Sequence, residues 1–273
     1  MSVLWRFHFL TTSQVAAIWW SGRDVSRARA RLTHLVEARL LARFRPPVRH
    51  GTHQWIYRLP TSGLDELRRH GVDLTAAAGS SEGRVQMSHV GRFLRINAWL
   101  IAYAGMIGHR LADWRGPREA RPLASGGSVG GESASARVAP DAAAVIAVGP
   151  GAPPIALLVE LTRDERPVRL AERLRRHAAV IASRTSLASG EPVSGTILVA
   201  PTLVAVEQLV RIADRELTSD IAIEGGTSPR ERMMFCAQSD ASRGSRRAWM
   251  LPALPPEHRE SPEFTALEVS LPG

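Results

Sequence analysis

The stretch VAPDAAAVIAVGPGAPPIALLVELT, residues 138–162, decides the fold of the C-terminal part of the chain. It reads as two buried strands, and each strand carries one carboxylate: Asp141 begins the first apolar run and Glu160 closes the second. An ionised carboxylate is costly to bury without a partner. Two carboxylates that converge at the ends of adjacent strands can hold Mg²⁺ through their oxygens. Both residues are therefore candidate metal ligands and candidate catalytic residues.

Each carboxylate also has a structural interpretation. Asp141 follows Pro140 at the start of a strand, where an Asp commonly caps a turn. Glu160 follows five apolar residues, so it is either a site carboxylate or the partner of a buried arginine such as Arg173. The sequence alone leaves these alternatives open.

Composition and charge indicate a globular protein with a polyanionic partner. The chain has 273 residues, 44% of them hydrophobic, and a formal net charge of +9. Every basic residue other than histidine is an arginine, which excludes a mechanism that needs a lysine ammonium. Residues 1–75 contain twelve arginines and five acids. A small domain that is so basic favours a nucleic acid as its partner.

The compartment and the domain boundaries follow from other simple features. The sequence has neither a membrane span nor a secretory signal, which predicts a cytoplasmic protein with no membrane partner. The single cysteine, Cys236, is predicted to be a buried core thiol.

We predict a first domain at 1–74, a small-residue linker at 75–88, a second domain at 89–252 and a tail at 253–273.

The first domain reads as helices, a hairpin and a short closing helix. Thr11 and Gln14 have the three-residue spacing of a capping box at the start of one predicted helix. Ser21 and Asp24 have the same spacing at the start of the next. Two short strands follow, LARF and WIYRL, with turn formers between them. This order resembles a winged helix-turn-helix domain, whose recognition helix enters the major groove of DNA.

The resemblance to a winged helix assigns DNA contacts to one helix and to the hairpin loop, the wing. The predicted DNA-binding residues of the helix are Arg23, Ser26, Arg27, Arg29, Arg31 and His34. Those of the wing are Arg49, His50 and His53. The alternative is a solvated arginine face on a winged helix that binds a protein partner.

The second domain reads as helix, three strands, helix, strand, helix, strand, and this order resembles the restriction-endonuclease-like fold. The motif of that fold is Pro-Asp on the second strand and Glu-x-Lys on the third. Pro140 and Asp141 match the first element and Glu160 matches the Glu, but Thr162 occupies the lysine position. The expected fold class is therefore α/β (α+β), a winged helix-turn-helix followed by a restriction-endonuclease-like mixed-sheet domain.

Several segments together resemble the replication-relaxation family of Gram-positive bacteria. They are VSRARARLTHLVEARLLARF, HVGRFLRINAWL, DWRGPREAR, APDAAAVI and ALLVELTRDERPVRLAERLRRH. The resemblance implies a DNA-binding protein with a role in plasmid replication or relaxation. It also implies a candidate catalytic site of Glu119, Asp141 and Glu160, with Arg173 in place of a lysine.

Three functions follow as hypotheses. The first is a DNA-binding protein of the replication-relaxation type that binds double-stranded DNA, is a possible homodimer, and has an inactive or weakly active nuclease-like domain. The second is a winged-helix transcriptional regulator whose C-terminal domain dimerises or senses a ligand. The third is a DNA nickase or nuclease, and Mg²⁺ is expected as a cofactor only if the protein is catalytic. The absent motif lysine leaves enzymatic activity open.

Overall fold

The chain folds as two compact units, Met1–Gly105 and Met106–Gly273. The computed structural model describes residues 1–20, 24–45, 54–72, 74, 87–107, 111–117, 119–123, 138–147, 151–163, 165–183, 185–217 and 229–238. Arg23, the three predicted wing residues, most of the predicted linker and the whole predicted tail lie outside these residues. Helices and strands occur in both units, which confirms the mixed α/β class.

The first unit contains five helices and three short strands among its described residues. In chain order they are α1 (Ser2–Phe7), β1 (Leu10–Thr11), α2 (Thr12–Trp20), α3 (Val25–Glu37), β2 (Ala42–Phe44), β3 (Ile56–Arg58), α4 (Thr61–Arg69) and α5 (Met87–Ile107). The strands form an antiparallel sheet in the order β1-β3-β2. Both predicted hairpin strands are confirmed, whereas the sequence pattern did not predict the two-residue strand β1.

Local capping signals begin two helices of this unit, α2 and α3. The capping box is present at α2, because Gln14 N–H donates to Thr11 Oγ1 at 3.2 Å and Thr11 N–H donates to Gln14 Oε1 at 3.0 Å. At α3 the cap is Asp24, whose Oδ1 accepts from Arg27 N–H at 2.9 Å. Ser21, the first residue of the box predicted there, lies outside the described residues.

Most of the long helix α5 belongs to the first unit, although the sequence pattern placed it in the second domain. Asn97, which is buried, donates through Nδ2 to the backbone oxygens of Phe7 at 3.0 Å and Phe9 at 2.6 Å. Gln14 Nε2 donates to Leu94 O at 2.8 Å. These three hydrogen bonds join α5 to the N-terminal segment, with Phe9 and Val90 in a shared core.

The second unit is built on a five-stranded mixed sheet. Its elements are β4 (Leu111–Arg115), β5 (Pro122–Leu123), β6 (Ala142–Ile146), β7 (Ile155–Leu161), α6 (Pro167–Ala182), β8 (Ser186–Leu187), β9 (Val193–Ala200), α7 (Leu203–Leu217), a 3₁₀ turn (Pro229–Arg232) and β10 (Met233–Ala237). The sheet order is β10-β9-β7-β6-β4. Strands β4, β6 and β7 pair antiparallel, and β7, β9 and β10 pair parallel. A separate two-stranded sheet pairs β5 with β8.

The neighbouring strands β6 and β7 are buried, as sequences that are apolar except for Glu160 predict. Helices α6 and α7 pack on the sheet through an apolar cluster that includes Leu174, Leu209 and Phe235. Cys236 of β10 is buried in this strand, which confirms its prediction as a core thiol. Among the described residues, no helix combines the length and apolarity that a membrane span requires.

Candidate functional site

Helix α3 exposes a basic face made of Arg27, Arg31 and His34. The three side chains are exposed, and their spacing of four and three residues places them on one side of the helix. The opposite side buries Ala28 and Leu32. Apolar packing therefore fixes the helix, and its basic face is left open to solvent.

The charges of this face are only partly neutralised. Arg27 Nε lies 2.9 Å from Asp24 Oδ2, and His34 Nδ1 lies 3.6 Å from Glu37 Oε2. Arg31 forms no ion pair with any described residue. Both observed pairs are exposed, and pairs of this kind contribute little in water, so a polyanion can compete with Asp24 for Arg27 and with Glu37 for His34.

Two other predicted DNA-binding residues of α3, Ser26 and Arg29, are exposed as well. Ser26 is exposed in its first turn. Arg29 is also exposed, but at 100° per residue it projects about 160° away from Arg27. Arg29 therefore lies outside the basic face, although its charge and exposure are similar.

The hairpin adds a basic and aromatic surface that the sequence pattern did not single out. The guanidinium carbons of Arg43 and Arg45 lie 4.6 and 4.1 Å from the centre of the Trp55 ring. Both arginines and Arg58 are exposed. Cation–π contact holds both guanidinium groups beside the same ring, where β2 ends and β3 begins. The signal that could have predicted this contact is an Arg-x-Arg pattern at the end of one hairpin strand with a Trp just before the next.

In the second unit, Glu160 lies at the centre of a buried ionic cluster. Its Oε1 pairs with Arg173 Nη1, and its Oε2 lies 2.6 Å from His177 Nε2. Strand β7 carries Glu160, and α6 carries both partners one turn apart. The structure therefore confirms Arg173 as a partner of Glu160 and adds His177, which is 1% exposed.

The cluster continues in both directions from Glu160. Arg173 Nη2 lies 2.6 Å from Glu165 Oε1, in the segment before α6. His177 Nδ1 lies 3.2 Å from Thr196 Oγ1 on β9. A chain of hydrogen bonds thus runs from Thr196 through Glu160 to Glu165 and ties β7, β9 and α6 together.

Asp141 and Thr162 have structural contacts near this cluster. Asp141 Oδ2 accepts from Leu161 N–H at 2.7 Å, next to Glu160 on the neighbouring strand. Thr162, which occupies the lysine position of the nuclease motif, is buried and donates through Oγ1 to Val199 O at 3.3 Å. Its hydroxyl therefore extends the pairing of β7 with β9.

Glu119 lies in the turn after β4. Its Oε2 accepts from Gly116 N–H at 3.2 Å, which closes that turn. Within the described residues, no group of three or more His, Cys, Asp or Glu side chains is arranged to hold a metal ion. The predicted three-carboxylate site of Glu119, Asp141 and Glu160 is therefore not assembled as a ligand group.

The donors do not fit a divalent metal in this arrangement. Both oxygens of Glu160 are engaged, one by a guanidinium and the other by an imidazole. One oxygen of Asp141 is engaged by a backbone N–H. A Mg²⁺ ion would need several free oxygens at about 2.1 Å and would have to displace Arg173.

A cavity of about 500 Å³ opens beside the cluster. Its arginines are Arg163, Arg169, Arg173 and Arg176. Its other ionisable residues are Glu160, Glu165, Glu172 and His177. Four arginines against three glutamates leave one net positive charge when His177 is neutral. Asp141 is not among the described residues that line the cavity.

Electrostatics around α6 are dominated by its arginines. A hydrogen bond from Arg176 lowers the pKa of Glu172, and the charges of Arg176, Arg169 and Arg175 lower it further. The helix begins at Pro167 with no side-chain cap and no acidic residue in its first turn. The N-terminal end of α6 is therefore positive in both its side chains and its dipole.

Sequence reasoning missed several residues of the cavity. His177, Glu165, Arg163 and Arg169 were not predicted as site residues. The signal that could have found His177 is its spacing of four residues from Arg173, which places both on the side of α6 that faces Glu160.

These features define a two-unit α/β protein with an exposed basic helix in one unit and a buried ionic cluster in the other. The sequence matches the replication-relaxation family over residues 1–191, well over half of the chain. The chain belongs to this family, and membership indicates a DNA-associated function related to replication. The matched region contains Glu160, Glu165, Arg173 and His177. Comparison with curated proteins and comparison with solved structures each gave no match.

Proposed function

We propose that this protein binds double-stranded DNA through a winged helix in its first unit, and that α3 is the recognition helix. The observation that carries the proposal is the basic face of α3, formed by Arg27, Arg31 and His34 and open to solvent. A helix fixed by apolar packing on one side and basic on the other suits insertion into the major groove.

The hairpin supports the same proposal. Arg43 and Arg45 over Trp55, together with exposed Arg58, give a second cationic surface in the same unit. In a winged helix the hairpin contacts phosphates beside the groove that the recognition helix enters. Arg49, His50 and His53 of the wing, and Arg23 before α3, stay predictions of DNA contact.

For the second unit we propose a nuclease-like scaffold that does not cut DNA. Glu160 is occupied by Arg173 and His177, and Thr162 hydrogen-bonds to a neighbouring strand where the motif has lysine. Catalysis would need free carboxylate oxygens for Mg²⁺ and a cation to stabilise developing charge. The scaffold is then a positioning or dimerising unit for the DNA-binding unit.

Substitution of the α3 arginines tests the proposed function. We expect Arg27→Ala and Arg31→Ala each to weaken binding to duplex DNA by about 1–3 kcal/mol if they contact bases. Arg29→Ala is the matched control, since it removes the same charge from another side of the helix. The measurement is the dissociation constant from fluorescence anisotropy with a labelled DNA duplex, at one salt concentration.

An equal loss in all three variants would mean that net charge and not the basic face governs binding. Unchanged affinity in Arg27→Ala and Arg31→Ala would remove α3 from the DNA interface. Circular dichroism of each variant checks that the helix is retained.

A further inference from the structure

Asp24 makes two contacts with one residue of α3, Arg27. Its Oδ1 accepts a hydrogen bond from the Arg27 backbone N–H at 2.9 Å, and its Oδ2 lies 2.9 Å from Arg27 Nε. The first contact is the N-cap of the helix, and the second is an ion pair with the side chain. One carboxylate therefore both begins the helix and restrains a guanidinium of its first turn.

The cap holds the Asp24 carboxylate in place whether or not the ion pair persists. Its hydrogen bond goes to the backbone, so it does not depend on the position of the long arginine side chain. The side chain of Asp24 is 36% exposed and that of Arg27 is 74% exposed. An exposed ion pair is weak in water, but it strengthens where a groove excludes water. Asp24 therefore restrains Arg27 most strongly in a complex with DNA.

The contact with Asp24 leaves the outer end of the Arg27 guanidinium for a ligand. Asp24 contacts the inner nitrogen, Nε, whereas most of the N–H donors of an arginine are on Nη1 and Nη2. Two of these donors point the same way and match a pair of acceptors side by side. In duplex DNA such a pair is offered by a phosphate group, or by O6 and N7 of guanine in the major groove.

Charge decides between these two ligands. A phosphate on Arg27 would lie close to the capping carboxylate, and the two negative charges would repel each other. The major-groove edge of guanine has no net charge, so the carboxylate does not oppose it. The position of Arg27 agrees, because it is the third residue of α3 and the N-terminal residues of a recognition helix contact base edges.

We propose that Asp24 is a positioning residue that holds the Arg27 guanidinium for two hydrogen bonds to O6 and N7 of one guanine. The inference rests on the proposed DNA-binding function and deepens it, since it names the base that the start of α3 reads. Asp24 acts through Arg27 and does not itself contact the guanine. Loss of either residue therefore reduces the preference for guanine at one position.

The test measures this preference on a duplex that the full-length wild-type protein selects from a random-sequence library. Each guanine of that duplex is replaced singly by 7-deazaguanine, which lacks N7, or by inosine, which keeps O6 and N7 and lacks only the minor-groove amino group. We expect one guanine at which 7-deazaguanine weakens wild-type binding about tenfold and inosine has little effect. Arg27→Ala should bind the guanine and 7-deazaguanine duplexes equally.

Asp24→Asn separates positioning from capping and from charge. Asn caps a helix as well as Asp does, and circular dichroism checks that α3 is retained. We expect this variant to lose most of the tenfold preference and yet to bind unrelated duplexes more tightly, because it removes a negative charge. If Asp24 contributed only its cap and its charge, the ratio of the two affinities would stay at its wild-type value. In an Arg27→Ala background, Asp24→Asn should not change the ratio.

Asp65→Asn is the matched control. Asp65 lies 2.6 Å from Arg68, three residues later in α4, so the variant removes the same kind of ion pair and the same charge from another helix of the first unit. Its preference for guanine should equal that of the wild type. An undiminished preference in Asp24→Asn, or an equal loss in Asp65→Asn, would overturn the proposal.

Two further outcomes separate this proposal from the proposed function. If 7-deazaguanine has no effect at any position while Arg27→Ala still weakens binding, the positioning role of Asp24 is wrong and DNA binding through α3 stands. If the wild-type protein enriches no duplex and binds none, both are wrong.

Discussion

Glu160 is a buried carboxylate that contacts two basic side chains of one helix, Arg173 and His177. Its side chain is 10% exposed, His177 is 1% exposed and Arg173 is 23% exposed. Apolar residues at these positions would pack without such a network. The network of Glu160, Arg173 and His177 instead constrains how β7 and α6 pack, because a shift of either element would leave a buried donor or acceptor without its partner.

At the scale of single residues, the sequence predicted that a buried Glu160 needs a partner. It did not predict the whole cluster around Glu160. The cost of burying Glu160 indicated an arginine, and Arg173 is that arginine. His177 was not predicted as a site residue, because a single sequence does not show which side of α6 faces β7. Its role depends on packing between elements far apart in the chain.

Removing Glu160 should destabilise the second unit. In Glu160→Ala, Arg173 and His177 lose their shared carboxylate, and we expect the free energy of unfolding to fall by about 3 kcal/mol. Partial exposure of Arg173 keeps the loss at the lower end of the usual range for buried pairs. Urea denaturation measures it, with Glu172→Ala on the exposed face of α6 as a control of little effect. A loss below that of the control would show that the cluster is not stabilising.

Glu191 gives the fold a pH dependence. Burial raises the pKa of Glu191, but hydrogen bonds from Ser189, its own backbone and Arg115, with the charge of Arg115, outweigh it and lower the pKa below 4.5. A carboxylate whose pKa is lowered on folding stabilises the fold at pH values above its ordinary pKa. This contribution is lost as the pH falls through the folded-state pKa.

Glu191→Gln should therefore reduce stability near neutral pH and have a vanishing effect in acid. Urea denaturation at about pH 7 and about pH 2.5 measures both limits. The same difference between the wild type and Glu191→Gln at both pH values would contradict the assigned ion pair.

At the scale of elements, local signals were reliable and tertiary packing was not predictable. The capping box of Thr11 and Gln14 involves neighbours in sequence, so its residue types are sufficient to indicate it. Helix α5 was predicted as a helix but placed in the second domain. Its hydrogen bonds from Asn97 to Phe7 and Phe9 span about ninety residues, and no local pattern reports them.

Two glycines of the first unit should respond to alanine in opposite directions. A Cβ on Gly63 in α4 would overlap the backbone oxygen of Leu40, so Gly63→Ala should cost about 1–3 kcal/mol through overpacking. Gly91 in α5 has open space at that position, so Gly91→Ala should stabilise by up to about 1 kcal/mol. Thermal melts of the two variants check both signs. A stabilised Gly63→Ala variant would contradict the close packing of α4 against the backbone at Leu40.

At the scale of the whole molecule, the arginines of the two units lie in different surroundings. The first unit carries the exposed basic face of α3 and the hairpin arginines, as the twelve arginines of residues 1–75 predicted. In the second unit the arginines of α6 line a cavity and neutralise acids. The sequence predicted most helices and strands of this unit in their order along the chain, because its apolar runs are strong, but not the order of the strands within the sheet. It could not show that the motif carboxylates are occupied, since that depends on side-chain geometry.

The most direct measurement is incubation of the protein with a supercoiled plasmid in Mg²⁺, in Mn²⁺ and in EDTA, beside Glu160→Gln and Arg27→Ala/Arg31→Ala. One native agarose gel reports both retardation and nicking. We expect retarded, uncut plasmid in all three buffers, with retardation lost only in the α3 double variant. Metal-dependent nicking that Glu160→Gln abolishes, or no retardation by the wild-type protein, would contradict a non-cutting DNA-binding function.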